Sequence, residues 1–161
     1  MALVSKTSGR NPLQVQVLYP PPLLFNQNIM KKGYHANIEN LTKENTNFRK
    51  VLYTGEHMQL VLMSLPVGGE IGMEVHKDND QFFRFEAGKG KVVIDGVEYE
   101  VGDGFAVIIP AGAKHNVINT GDTELKLYTI YSPAEHRDGV VRKTKEEALA
   151  QEEHFDGKTS E

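Results

Sequence analysis

The sequence predicts an all-β barrel or sandwich with one short C-terminal helix, and three observations carry that reading. Eight short runs rich in Val, Ile, Phe and Tyr follow one another from Phe48: 48–54, 58–65, 81–87, 91–95, 98–101, 105–109, 115–119 and 125–132. Gly, Pro, Asn and Asp punctuate them, as strands joined by tight turns require. Asp95-Gly96 lies between two of the runs. Both residue types tolerate positive φ, so the pair specifies a two-residue hairpin.

Residues 1–29 read differently. Pro20-Pro21-Pro22 favours an extended backbone, and the alternation around Leu13 to Leu18 is short. This stretch is either an arm that covers a neighbour or a disordered extension, the extension being the leading expectation. Residues 30–135 then form the barrel, and 136–161 a surface helix and tail. The helix is placed on Thr144 to Glu153, with Thr144 as N-cap and Glu147 three residues on, a capping-box pattern. It is the one helix the sequence announces, and its weak apolar face puts it on the surface. His35, His57, His136 and His154 all read as solvated, outside any site.

At 161 residues the chain is long enough for one domain with one core. A net charge of −4 with no basic cluster argues against a nucleic-acid partner. Cysteine is absent, which rules out disulfides and thiolate metal sites. No apolar run approaches the roughly 20 residues of a membrane span. The first ten residues lack the apolar block of a secretory signal, so a cytoplasmic location is the default expectation.

Two segments hold most of the polar residues suited to chemistry. One runs Gly68-x5-Glu74-x-His76-x4-Gln81-x6-Gly88, the other Gly104-x5-Pro110-x-Gly112-x2-His115-x3-Asn119. Side chains alternate along a strand, so Glu74 and His76 share a face. Gln81 shares its face with Phe83 and Phe85, which belong inside, while Arg84 and Glu86 suit solvent. His115 shares a face with Val117. Each residue alone reads as structural. Together, four polar groups converge in an apolar interior, where a carboxylate is costly unless compensated. A divalent cation supplies that compensation. Two imidazoles, a carboxylate and an amide oxygen suit zinc, iron, manganese or nickel, with zinc the first expectation. Met63, Phe83, Phe85, Ile109 and Tyr131 are the expected lining of the pocket around the ion. Tyr131 fills space there in the leading reading and donates a proton in the other.

The second segment (GFAVIIPAGAKHNVIN) matches the second motif of the cupin family at every fixed position, and the first segment has the spacing of the first motif. The resemblance spans roughly residues 34–135. It implies a jelly-roll barrel, or double-stranded β-helix, around one metal ion. The first motif departs from the usual form: Glu74 stands where a His is usual, and Gln81 where the Glu is usual. The set still carries one negative ligand, as the usual set does, which favours a retained ion. The text around it (MEVHKDNDQFFRFEAGKGKVVIDG) is similar to compact bacterial cupins described as mannose-6-phosphate isomerase-like. Their resemblance implies a small-molecule partner, such as a sugar or hydroxy-carbonyl compound, and a homodimer. Three readings stay open: an isomerase-like enzyme, a non-catalytic ligand-binding module with a structural metal, and an Fe(II) dioxygenase. A shortage of basic residues inside the barrel weighs against a phosphosugar.

Overall fold

The computed structural model describes residues 31–161. The expectations for residues 1–29 lie outside them. Nine strands and two helices follow in chain order: α1 (Ile38–Glu44), β1 (Arg49–Thr54), β2 (Gln59–Leu65), β3 (Asp80–Ala87), β4 (Lys89–Ile94), β5 (Val97–Gly102), β6 (Ala106–Ile109), β7 (His115–Asn119), β8 (Leu125–Ser132), β9 (Val141–Arg142) and α2 (Lys145–Ala150). They build one six-stranded sheet, ordered β6-β3-β8-β2-β1-β9, and one three-stranded sheet, ordered β5-β4-β7. Every described strand pairing is antiparallel. All eight predicted strands are present, their ends within two residues of expectation.

The two sheets face each other across the core. Val61, Met63, Leu65, Phe83, Phe85, Leu125 and Leu127 point in from the larger sheet, and Val92, Val101 and Val117 from the smaller one. Full burial of each large side chain stabilises the fold by about 1.5–3 kcal/mol. Asp95 and Gly96 turn the β4–β5 hairpin at φ 47° and 84°, as a primed turn demands. Asn119 donates to the carbonyls of Leu65, Pro66 and Thr123 and accepts from the Gly121 amide. It closes the turn behind β7, far from any ligand role.

Helix α1 escaped the sequence reading. Its seven residues carry only Ile38 and Leu41 as large apolar groups, too few to show a helical period. The available signal was local: Asn37 caps the first turn through the Asn40 amide, and Glu39 pairs with Lys43 one turn later. The helix packs over β2, β3 and β8 on the side away from the core. That cover corrects the placement of Glu86 in solvent. The β3 register on β8 slips between Phe85 and Ala87, and Glu86 is 5% exposed, with its carboxylate 3.4 Å from Arg84. Lys126, buried on the same face, donates to the Asn45 carbonyl and to Ser64.

Helix α2 begins as predicted. The Glu147 amide donates to the Thr144 hydroxyl, but the Glu147 carboxylate accepts from the Lys143 amide rather than from that of Thr144. Leu149 is 72% exposed. The segment around this helix is nonetheless tied to the barrel, because β9 pairs with β1 and the Phe155 amide donates to the Glu135 carbonyl. No described helix is long and apolar enough to cross a membrane.

Candidate metal centre

The two motif segments meet at the mouth of the barrel. Glu74 and His115 form an isolated antiparallel bridge, each amide donating to the other's carbonyl at 2.9 and 3.0 Å. Their side chains therefore leave on the same face. Pro110 accepts from the Ala113 amide across a tight turn, and Gly112 stands at φ 83°. Only glycine adopts that conformation without strain. The Gly112 amide then donates to the His76 carbonyl at 2.7 Å, which locks the second segment onto the first.

One ligand atom from each of Glu74, His76 and His115 lies within 4.8 Å of the others. Ligands at about 2.0–2.2 Å from one ion stand no more than about 4.4 Å apart, so a closure of a few tenths of an ångström suffices. Gln81 reaches across from the larger sheet, and its Oε1 lies 3.0 Å from His115 Nε2. Glu74, His76 and His115 thus come together, and Gln81 stands beside them against His115.

Protonation sharpens the picture. Burial holds the His115 imidazole below the usual range, so the ring is neutral. Its Nδ1 faces the Ala113 carbonyl at 3.0 Å, and donation there leaves a lone pair on Nε2 opposite Gln81. The Gln81 amide nitrogen donates to Thr129 Oγ1 at 3.1 Å, which turns the amide oxygen toward that lone pair. Two acceptors at 3.0 Å repel unless a cation lies between them or the amide turns over. His76 makes a second, independent case. Its Nε2 is buried without a hydrogen-bond partner, 3.4 Å from Glu74. Burial depresses the His76 pKa, but the carboxylates of Glu135 and Glu74 outweigh it and raise the value to about 9. A positive charge is wanted at this point, and a proton or a metal ion can supply it.

Glu135 was not legible in the sequence. It follows Ser132-Pro133 in an irregular stretch and belongs to neither motif. Gln59, fully buried, fixes that stretch by donating to the His136 carbonyl at 2.6 Å and accepting from the His136 amide at 2.9 Å. Glu135 Oε2 is thereby held 3.6 Å from His76 Nδ1. The His76 ring keeps the Glu135 carboxyl below the usual carboxylate range. Carboxylates behind a ligating imidazole orient it and raise its basicity. Glu135→Gln is expected to weaken zinc binding by about 10–100-fold, measured by competition with a chromophoric chelator. An unchanged affinity would remove Glu135 from the centre.

The expected pocket lining is corrected. Met63, Phe83, Phe85 and Ile109 are packed into the closed core. The cavity beside the ligands, about 340 Å³, is walled instead by Ile71, Arg49, Glu135 and His136 and by the C-terminal Lys145, Ala148 and Glu153. The reason is the tail: α2 and the residues after it roof the barrel mouth, which the sequence reading had left on the surface. Tyr131 is buried, standing edge-on to both His76 and His136 at 5.5 and 5.2 Å. Burial pushes its phenol upward, so it keeps its proton; it belongs to the closed core behind the histidines and, like the other four, does not line the cavity.

His136 is also corrected. It is 5% exposed, and neither ring nitrogen has a hydrogen-bond partner. Burial and the neighbouring Arg49 hold its pKa at about 2. Arg49 on β1, Tyr131 on β8, Glu153 and His154 on the C-terminal segment, and His76 are the charged or titratable groups around it. The unfolded chain takes up a proton at this site below about pH 6.5, and the folded chain does not, so stability falls as pH drops below 6.5. Between pH 7 and 5 this one group removes about 2 kcal/mol. Urea unfolding of wild type and His136→Phe at both pH values checks it: the wild type should lose about 2 kcal/mol more than the variant.

Comparison with known proteins identifies the domain and the fold. A cupin domain model matches residues 61–131. The chain is 47% identical over 128 residues to the uncharacterized protein YrkC of Bacillus subtilis, covering 76% of this chain and 69% of that one. The chain belongs to the cupin family. The uncharacterized protein L612 of Acanthamoeba polyphaga mimivirus is 40% identical over 74% of this chain and 75% of its own. Among solved cupin-like structures, BH2720 from Bacillus halodurans is 45% identical, with a TM-score of 0.74 over 76% of this chain and 98% of that one. In this cupin the residues able to hold a metal ion come from both motif segments, and part of the cavity wall comes from the C-terminal tail.

Proposed function

We propose that this cupin binds one divalent metal ion through Glu74, His76, Gln81 and His115 and presents it to a small hydroxylated or carbonyl-bearing molecule. The observation that carries the reading is the orphaned, buried Nε2 of His76, beside a carboxylate and a second imidazole within 4.8 Å. Zinc is the first choice for this mixed nitrogen and oxygen set; iron, manganese and nickel fit it as well. When bound, such an ion polarises a carbonyl or hydroxyl and lowers the pKa of bound water.

The chain's own residues supply the rest. Glu135 and the Ala113 carbonyl fix the two imidazoles, Ile71 and Phe48 wall the space, and the tail limits its size. A volume of about 340 Å³ falls at the small end of ligand pockets and suits a molecule of sugar size. A phosphosugar fits poorly. The charge of Arg49 is neutralised by Glu153 at 3.6 Å, without a hydrogen bond between them, and that of Lys145 by Glu70 at 3.3 Å, so each of these two cations of the cavity wall already faces a carboxylate. An isomerase-like reaction on an unphosphorylated hydroxy-carbonyl compound is the activity this site would support.

Elemental analysis of protein purified without added metal tests the reading. One ion per chain is expected, zinc supporting Lewis-acid chemistry and iron supporting oxygen chemistry. Protein that stays substoichiometric after dialysis against zinc would refute it.

A further inference from the structure

We infer that Arg49, His136 and Glu153 form a second recognition point in the cavity, one that takes a hydroxyl group of a neutral polyol or sugar. This rests on the metal reading above, since the ligand's other end is placed at the ion. All three side chains line the cavity that Glu74 and His76 also line. They are well buried, at 11%, 7% and 4% side-chain exposure. Yet they do not satisfy one another. Glu153 Oε1 lies 3.6 Å from Arg49 Nη1 and 3.7 Å from His136 Nδ1, beyond ordinary hydrogen-bond reach. Arg49 Nε, both nitrogens of His136 and Glu153 Oε1 all lack a hydrogen-bond partner. Buried polar atoms left in that state are costly, and such a cluster on a cavity wall is suited to an incoming group.

The chemistry of the cluster selects that group. Arg49 only donates, Glu153 only accepts, and a neutral imidazole does one at each nitrogen. A hydroxyl both donates and accepts, so it can take a hydrogen bond from Arg49 or His136 and give one to Glu153. A carboxylate or phosphate would face Glu153 and Glu135, and an ammonium group would face Arg49. The backbone of His136 is clamped by Gln59, and its ring rests edge-on against Tyr131, so the recognising atoms are held rigidly.

The test uses the full chain loaded with Co2+, whose visible spectrum reports on ligands reaching the ion. D-fructose, D-mannose and erythritol are titrated beside D-gluconate, with heat and absorbance followed together. At least one neutral compound should bind the loaded protein and not the metal-free protein, and more tightly than gluconate. His136→Phe keeps the packing on Tyr131 but loses both nitrogens, and should weaken that binding about tenfold with one Co2+ per chain retained. Glu153→Gln also removes the anion between Arg49 and Arg142, so it is read on protein whose circular dichroism and Co2+ content match wild type, and there it should shift preference toward gluconate. If the loaded protein ignores every neutral compound, or both variants bind as wild type does, the cluster is satisfied by water alone and the inference is wrong while the metal reading stands. A chain that takes up no Co2+ overturns both.

Discussion

His115→Ala is expected to weaken binding of a divalent ion by about 100-fold or more and to make thermal stability insensitive to chelator. Losing a residue behind a ligand already costs about 10–100-fold, and His115 is placed in the ligand set itself. It is 1% exposed and sits on β7, opposite Ile94 of β4, where no other imidazole can replace it. Its loss leaves Gln81 and Glu74 facing a void. A binding partner stabilises only the state that holds it, in proportion to the logarithm of its concentration over its dissociation constant. Wild-type protein should therefore melt lower after EDTA treatment, whereas the variant should melt at one temperature with or without EDTA. The void adds a loss of about 2 kcal/mol or more in both conditions, as truncation of buried aliphatic side chains does. Retention of one ion per chain by the variant would show that His115 is not a ligand.

The candidate ligand residues were legible because alternation along extended backbone converts sequence spacing into direction, even where, as at Glu74 and His76, only an isolated bridge forms. Glu74 and His76 differ by two positions, Gln81 is in phase with Phe83 and Phe85, and His115 with Val117. The hairpin at Asp95-Gly96 and the turn at Gly112 were legible for a similar reason, since each is written in residues that tolerate the required φ. Glu135, His136 and the cavity wall were not. They depend on where an irregular stretch is pinned by Gln59, 77 positions away from its partner His136, and on the return of the tail over the barrel mouth. Neither event has a period. Helix α1 was missed because seven residues with two large apolar groups leave no stripe to read, and the burial of Glu86 followed from that omission.

Glu153→Ala is expected to cost about 3–5 kcal/mol of stability and about 6–20 °C in melting temperature, an outcome that a charged tail would not suggest. Glu153 is the only acidic side chain within 4 Å of the Arg49 and Arg142 guanidinium groups among the described residues, at 3.6 and 2.7 Å. Both arginines are nearly enclosed, facing each other across the β1–β9 pair. The attraction within such a group mainly repays desolvation, so the intact cluster adds little. Removing its one anion is different, because two positive charges then stay buried without compensation, and Arg49 Nε and Arg142 Nε already lack partners. The neighbouring residue is the control. Glu152 has the same side chain but is exposed, and Glu152→Ala should change stability by no more than about 0.5 kcal/mol. Urea unfolding of both variants at pH 7 separates them. Equal, small effects would mean that the tail does not hold Glu153 between the arginines, and the cavity roof would then be open in solution.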